Sequence, residues 1–168
     1  EHEINRVRRD LNENPVSSIW LWGQGKKAMM EPFEARFGLR GAAITAVDLV
    51  RGLAKLIGFD LINVPGATGF VDTNYQGKAQ AAIDALQKYD LVYVHIEAPD
   101  EAGHGGNIAA KKKAVEQIDK HIVGPVHEHL KKNFSSWRLL VMPDHPTPIK
   151  SQAHCSEPVP FAITGTNI

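Results

Sequence analysis

The sequence predicts an α/β fold, a largely parallel sheet flanked by helices. Three observations predict it. Short apolar runs alternate with amphipathic segments, residues 91–96 form an almost unbroken apolar run, and Asp- and His-rich clusters directly follow such runs. Ile4, Val7, Arg8 and Leu11 recur at helical spacing over residues 4–13, and Asn14-Pro15 closes that helix. Ser17-Ser18-Ile19-Trp20-Leu21-Trp22 reads as a strand ending in the flexible Gly23-Gln24-Gly25-Lys26-Lys27. Trp20 and Trp22 share one face of it, as core or interface residues. A short helix over 32–37 stops at Gly38, and the small-residue strand 41–46 leads into a helix over 49–57. Residues 60–64 form another strand, followed by the turn Pro65-Gly66-Ala67-Thr68-Gly69.

Ala79, Ala82, Ile83 and Leu86 make one face of a helix over 75–88. The run Leu91-Val92-Tyr93-Val94-His95-Ile96 has the pattern of a buried central strand. A long helix then carries Val115, Ile118, Ile122 and Val126 on one stripe, and Gly124-Pro125 is expected to kink or split it. Strands over 137–142 and 160–164 complete the pattern. With no repeat, low-complexity stretch or linker, one domain is the simplest organisation.

Composition narrows the function. Nineteen Lys and Arg balance nineteen Asp and Glu, which argues against a non-specific nucleic-acid or membrane-surface binder, since these need a basic excess. A single cysteine, Cys155, excludes an internal disulfide and fits a reducing cytoplasm. No apolar run approaches a membrane span, and the opening residues Glu1-His2-Glu3-Ile4 are unlike a signal peptide.

Ligands of α/β sheets bind beyond the carboxyl ends of the strands, where this sequence places its polar clusters. Asp100 and His104 follow the central run, Asp144 and His145 follow the strand ending at Met142, and His154 comes shortly after. Asp100 and His104 are four apart, so one helical turn aims both at one ion. Asp144 and His145 are neighbours, which point apart in an extended chain and converge at a bend. Carboxylate oxygen with imidazole nitrogen suits zinc or manganese better than calcium or magnesium alone, and five candidate ligands favour two ions. The competing reading is that an Asp-His pair at a strand end caps and hydrogen-bonds; the repetition of the pair beside a third histidine brings ligation level with that reading, and the pattern alone leaves both open. His121, His127 and His129 lie among Lys and Glu and read as solvated, His95 as a core histidine, and Lys111-Lys112-Lys113 as a solvated helix face.

The stretches Ala98-Pro99-Asp100-Glu101-Ala102-Gly103-His104, Pro143-Asp144-His145-Pro146-Thr147-Pro148 and His154 through Phe161 together resemble the alkaline phosphatase superfamily. Within it they are similar to the cofactor-independent phosphoglycerate mutases of the archaeal-type branch, including its bacterial members. Trp20-Leu21-Trp22-Gly23-Gln24-Gly25-Lys26, Ala46-Val47-Asp48-Leu49 and Gly66-Ala67-Thr68-Gly69 also resemble that branch. The resemblance implies two divalent ions, manganese or zinc, with magnesium as a third option. Asp100, His104 and His154 would hold one, and Asp144 and His145 the other. It further implies a metal-bound serine that takes phosphate from 3-phosphoglycerate and returns it to the other hydroxyl.

No segment here matches the family's nucleophile region. The resemblance therefore implies the C-terminal part of the metal-binding domain, over 1–168, with the nucleophile segment and the inserted domain absent. The fold is then alkaline-phosphatase-like and incomplete at the N-terminus, and the chain alone is expected to be inactive. Lys26, Asp48 and Arg51 are candidate contacts for a small phosphorylated substrate. A missing first strand would leave an exposed sheet edge and favour self-association. Two other functions share these motifs: a homoserine kinase-like phosphotransferase with another acceptor, and a non-catalytic structural or interaction domain.

Overall fold

The computed structural model describes residues 2–26 and 28–168; Glu1, and Lys27 of the glycine-lysine segment, lie outside the described residues. A three-stranded parallel sheet is built from β1 (Gly41–Ile44), β2 (Asp60–Leu61) and β3 (Leu91–Val94) in the order β2-β1-β3. β1 pairs Ala42 with Asp60 on one side and Ala43 with Tyr93 on the other. Helices α3 (Asp48–Leu56) and α4 (Tyr75–Ala85) make the crossovers between these parallel strands, as parallel pairing requires. β4 (Arg138–Val141) and β5 (Ala162–Gly165) form a separate antiparallel ladder, with Leu139 opposite Thr164. No helix among the described residues is long and apolar enough to cross a membrane.

The sheet separates two apolar clusters. On one face Ile44 packs with Tyr75, Ala79 and Ala82 of α4, and with Ile122, Val126 and Leu130. On the other, Ala43 meets Ala54 of α3 and Phe59. Small residues let these layers close on β1. A Cβ on Gly41 would lie 2.2 Å from the Phe59 ring, so that ring occupies the space any side chain would need.

α1 (Glu3–Asp10) and α2 (Phe33–Phe37) form where the spacing predicts them, and α2 ends at Gly38 with φ 67°, a left-handed cap. The expected strand over 17–22 does not form. Ile19, Trp20, Leu21 and Trp22 are each at least 80% exposed, and no backbone ladder joins them to a strand among the described residues. Strand propensity is only realised when a partner satisfies the backbone groups. Trp20 and Trp22 are therefore not core residues.

The expected central strand is also displaced. β1 is central and wholly buried, whereas β3 is bonded on one side only, with Leu91 and Tyr93 outward and Val92 and Val94 half-buried. Apolarity over 91–96 reflects the packing of alternate residues against α4; it does not set the strand order.

The long helix divides as expected, with a difference in place. α6 (Ile108–Ile118) passes through a π-helical turn, Asp119–Val123, into α7 (Gly124–Asn133). Pro125 cannot donate to the His121 carbonyl four residues back. The chain widens one turn earlier, where the Gly124 N–H bonds to the Asp119 carbonyl instead.

Candidate metal centre

α5 (Ala98–His104) begins just beyond the carboxyl end of β3, with Pro99 in its first turn. Asp100 and His104 lie one turn apart, and His104 Nε2 is 3.3 Å from Asp100 Oδ2. The chain leaving β4 bends at Asp144 and His145, and the His145 N–H donates to Asp144 Oδ1 at 2.9 Å. That bend brings the two neighbouring side chains together, with His145 Nε2 3.3 Å from Asp144 Oδ2. The Cys155 N–H donates to the Pro146 carbonyl at 3.1 Å, a tie that sets His154 beside His145, ring centroids 3.8 Å apart. His154 Nε2 lies 3.0 Å from His104 Nε2 and 3.3 Å from Asp100 Oδ1.

Four of the five expected ligands thus meet in one cluster, and Asp144 stands at its rim beside His145. Atoms of Asp100, His145 and His154 all lie within 4.8 Å of one another. Side-chain contacts alone do not divide the five residues into the three and two that the resemblance implies.

The donor set fits a cation. His104 Nδ1 lies 2.9 Å from the Gln152 carbonyl, which can only accept, so Nδ1 carries the proton and Nε2 presents a lone pair inward. That lone pair and both Asp100 oxygens are acceptors converging on one region, and a divalent cation answers all of them at once. Burial pushes the Asp100 carboxyl up. The hydroxyl of Thr147, and the charge that His104, His154 and His145 carry when protonated in the metal-free site, outweigh it and hold the group below its ordinary value. Glu97 behaves oppositely, raised by burial and then by Glu101 and Asp100.

Two lysines at this end of the sheet escape a reading by charge. Lys111, expected to be solvated with Lys112 and Lys113, turns inward and donates to the Thr147 carbonyl. Lys78 is 1% exposed, with Nζ 3.3 Å from the His95 carbonyl and 3.4 Å from that of Thr68. Its place one residue before Ala79 and four before Ala82, in the buried phase of α4, was the available signal. Thr147 and Gln152 carry no such signal, because both act across long sequence separations.

Of the three substrate candidates, Arg51 is half-buried and its guanidinium donates to the Thr45 carbonyl at 3.4 Å, just beyond β1. Asp48 is exposed at the start of α3, and Lys26 is exposed in the irregular segment before α2. His127 packs edge-on against Trp137 and His129 against Phe134, so these histidines are half-buried and not fully solvated as expected.

His95, expected in the core, is half-buried at the carboxyl end of β3, with Nδ1 3.2 Å from Thr45 Oγ1. Burial chiefly lowers its pKa from the ordinary 6.5, partly opposed by Asp144. Below about pH 6.5 the unfolded chain takes up a proton that the folded site resists, so stability falls as pH falls through that window. The loss in urea midpoint between pH 7.5 and 5.5 should be smaller in a His95→Asn variant than in the parent. An equal loss would show that His95 does not contribute.

A family model described as the metalloenzyme superfamily matches residues 7–168. A 2,3-bisphosphoglycerate-independent phosphoglycerate mutase of Methanothrix thermoacetophila is 50% identical over 168 residues, covering 100% of this chain and 43% of that protein. A probable 2,3-bisphosphoglycerate-independent phosphoglycerate mutase of Geobacter sulfurreducens is 54% identical over 162 residues, covering 96% of this chain and 40% of that protein. The solved PH0037 protein of Pyrococcus horikoshii superposes with a TM-score of 0.76 at 32% identity, over 82% of this chain and 41% of that one. The chain spans about two fifths of the length of the curated relatives it matches.

Proposed function

Because the chain belongs to the metalloenzyme superfamily, we propose that it forms the metal-holding part of a 2,3-bisphosphoglycerate-independent phosphoglycerate mutase. The observation that carries this reading is the convergence of the His104 lone pair and both Asp100 oxygens beside His154 and His145. Identity of 50% along this chain to two fifths of a protein of that name supports it. Asp100, His104 and His154 hold one divalent ion and Asp144 and His145 the second, manganese or zinc in preference to magnesium. Such ions, when bound, lower the pKa of a nucleophilic hydroxyl and neutralise charge on a transferring phosphoryl group.

The chain's own residues orient and hold. Gln152 keeps His104 turned inward through its carbonyl, and Asp100 stays ionised under the influence of Thr147 and the three histidines. Arg51, anchored on Thr45 at the same end of the sheet, supplies a cation for the carboxylate or phosphate of a small substrate. Asp48 and Lys26 complete the proposed substrate contacts. In this reading the nucleophilic serine and the inserted domain belong to parts of the protein outside these residues, and the chain alone is inactive. The one-sided bonding of β3 supports self-association through that edge, and the lone cysteine fits a reducing cytoplasm.

The test is an assay of the protein carrying this chain with manganese present. Interconversion of 3- and 2-phosphoglycerate is the expected result. Phosphorylation of homoserine by ATP in its place would move the reading to a homoserine kinase-like enzyme. Neither activity, with unchanged metal content in His104→Ala and Asp144→Ala, would make it a non-catalytic domain.

A further inference from the structure

We infer that Thr147 is a positioning residue of the metal centre: with Lys111 it forms a strap that orients Asp100 and ties the Asp144-His145 bend to α5. The inference rests on the metal-centre reading above. Thr147 is 3% exposed, and its hydroxyl donates to Asp100 Oδ1. That bond occupies one side of the carboxylate. Oδ2 is left facing His104 Nε2, and the rest of Oδ1 faces His154 Nε2, each at 3.3 Å. The same residue accepts at its carbonyl from Lys111 Nζ on α6. Lys111 is the one lysine of its run that is not exposed.

Gly103 lets the strap lie flat against α5. A Cβ there would stand 2.6 Å from the Thr147 carbonyl oxygen and 2.9 Å from Lys111 Nζ. α5, α6 and the loop after β4 therefore meet at one buried threonine, whose hydroxyl and carbonyl are both engaged. Thr147 follows His145 by two residues, and its Oγ1 lies 3.4 Å from His145 Nδ1. A displacement of the strap would therefore move ligands proposed for both ions together. Partners that hydrogen-bond a ligating carboxylate typically carry about 10–100-fold in metal affinity.

Manganese titration of the intact protein carrying this chain, followed by calorimetry, tests the inference. Thr147→Val, Thr147→Ser, Lys111→Met and Asp100→Asn are compared with the parent, each with its metal-free melting temperature. Thr147→Val should lose roughly 10–100-fold in affinity while melting near the parent. Thr147→Ser, which keeps the hydroxyl, should restore most of it, and Lys111→Met should show a smaller loss. Parent-like affinity in Thr147→Val beside lost binding in Asp100→Asn would overturn the inference and leave the metal centre standing. Equal impairment in the serine and valine variants would overturn it too. Should Thr147→Val fail to fold, Lys111→Met decides: lower affinity at an unchanged melting temperature supports the strap, and unchanged affinity overturns it. Parent-like binding in Asp100→Asn would remove the metal-centre reading, and the inference with it.

Discussion

Asp100→Asn is expected to lose more manganese affinity than any other single substitution in this chain. The carboxylate faces His104 and His154 at 3.3 Å through its two oxygens and accepts the Thr147 hydroxyl. An amide removes the negative charge and turns an N–H donor toward nitrogens that need a cation. The loss should exceed the roughly 100-fold upper range for outer partners. Its direct readout is ligand-linked stability. At a free metal concentration about 100 times Kd, the parent should gain about 2.7 kcal/mol. The variant should gain almost nothing, and a chelator should return the parent to its level. A parent-sized gain in Asp100→Asn would remove Asp100 from the ligand set.

The largest effect on folding is expected at Ile44. It is 1% exposed, at the end of the central strand, and packs against the α4 alanines and the α7 side chains. Ile44→Ala removes buried methyl groups and opens a cavity between layers that cannot collapse fully, which costs about 2–5 kcal/mol. That is a large share of the 5–15 kcal/mol typical of a folded domain. Leu49→Ala is the contrast, since Leu49 is 73% exposed and its truncation should cost less than about 0.5 kcal/mol. Urea midpoints compare the two. Similar losses at both positions would mean that Ile44 is not in a packed core.

The legible parts of this molecule were local ones. Asp100 and His104 are four apart, and a helical turn needs nothing further to bring them together. Gly38 ending α2 and the break in the helix near Pro125 likewise follow from backbone stereochemistry within a few residues. His95 read as a core residue from its place in an apolar run, but it sits just past the end of β3, half-buried and facing Thr45. Errors came where a distant partner decides. Residues 17–22 have the composition of a strand and no ladder to join. Lys111 has the composition of a solvated residue and a buried carbonyl to meet.

By itself, the sequence determined the alternation of helices and strands and the residue types gathered at the strand ends. Both are set by periodicity, turn chemistry and ligand chemistry, which act over a few residues. Only the tertiary structure decided that β1 and not β3 is central, because strand order depends on which surfaces can approach closely. The near-absent side chains of Gly41, Ala42 and Ala43 allow that approach. Only the tertiary structure set His154 beside His145 and Thr147 against Asp100. Those contacts rest on loop ties between residues far apart in the chain, such as Cys155 to Pro146, and no spacing rule encodes them.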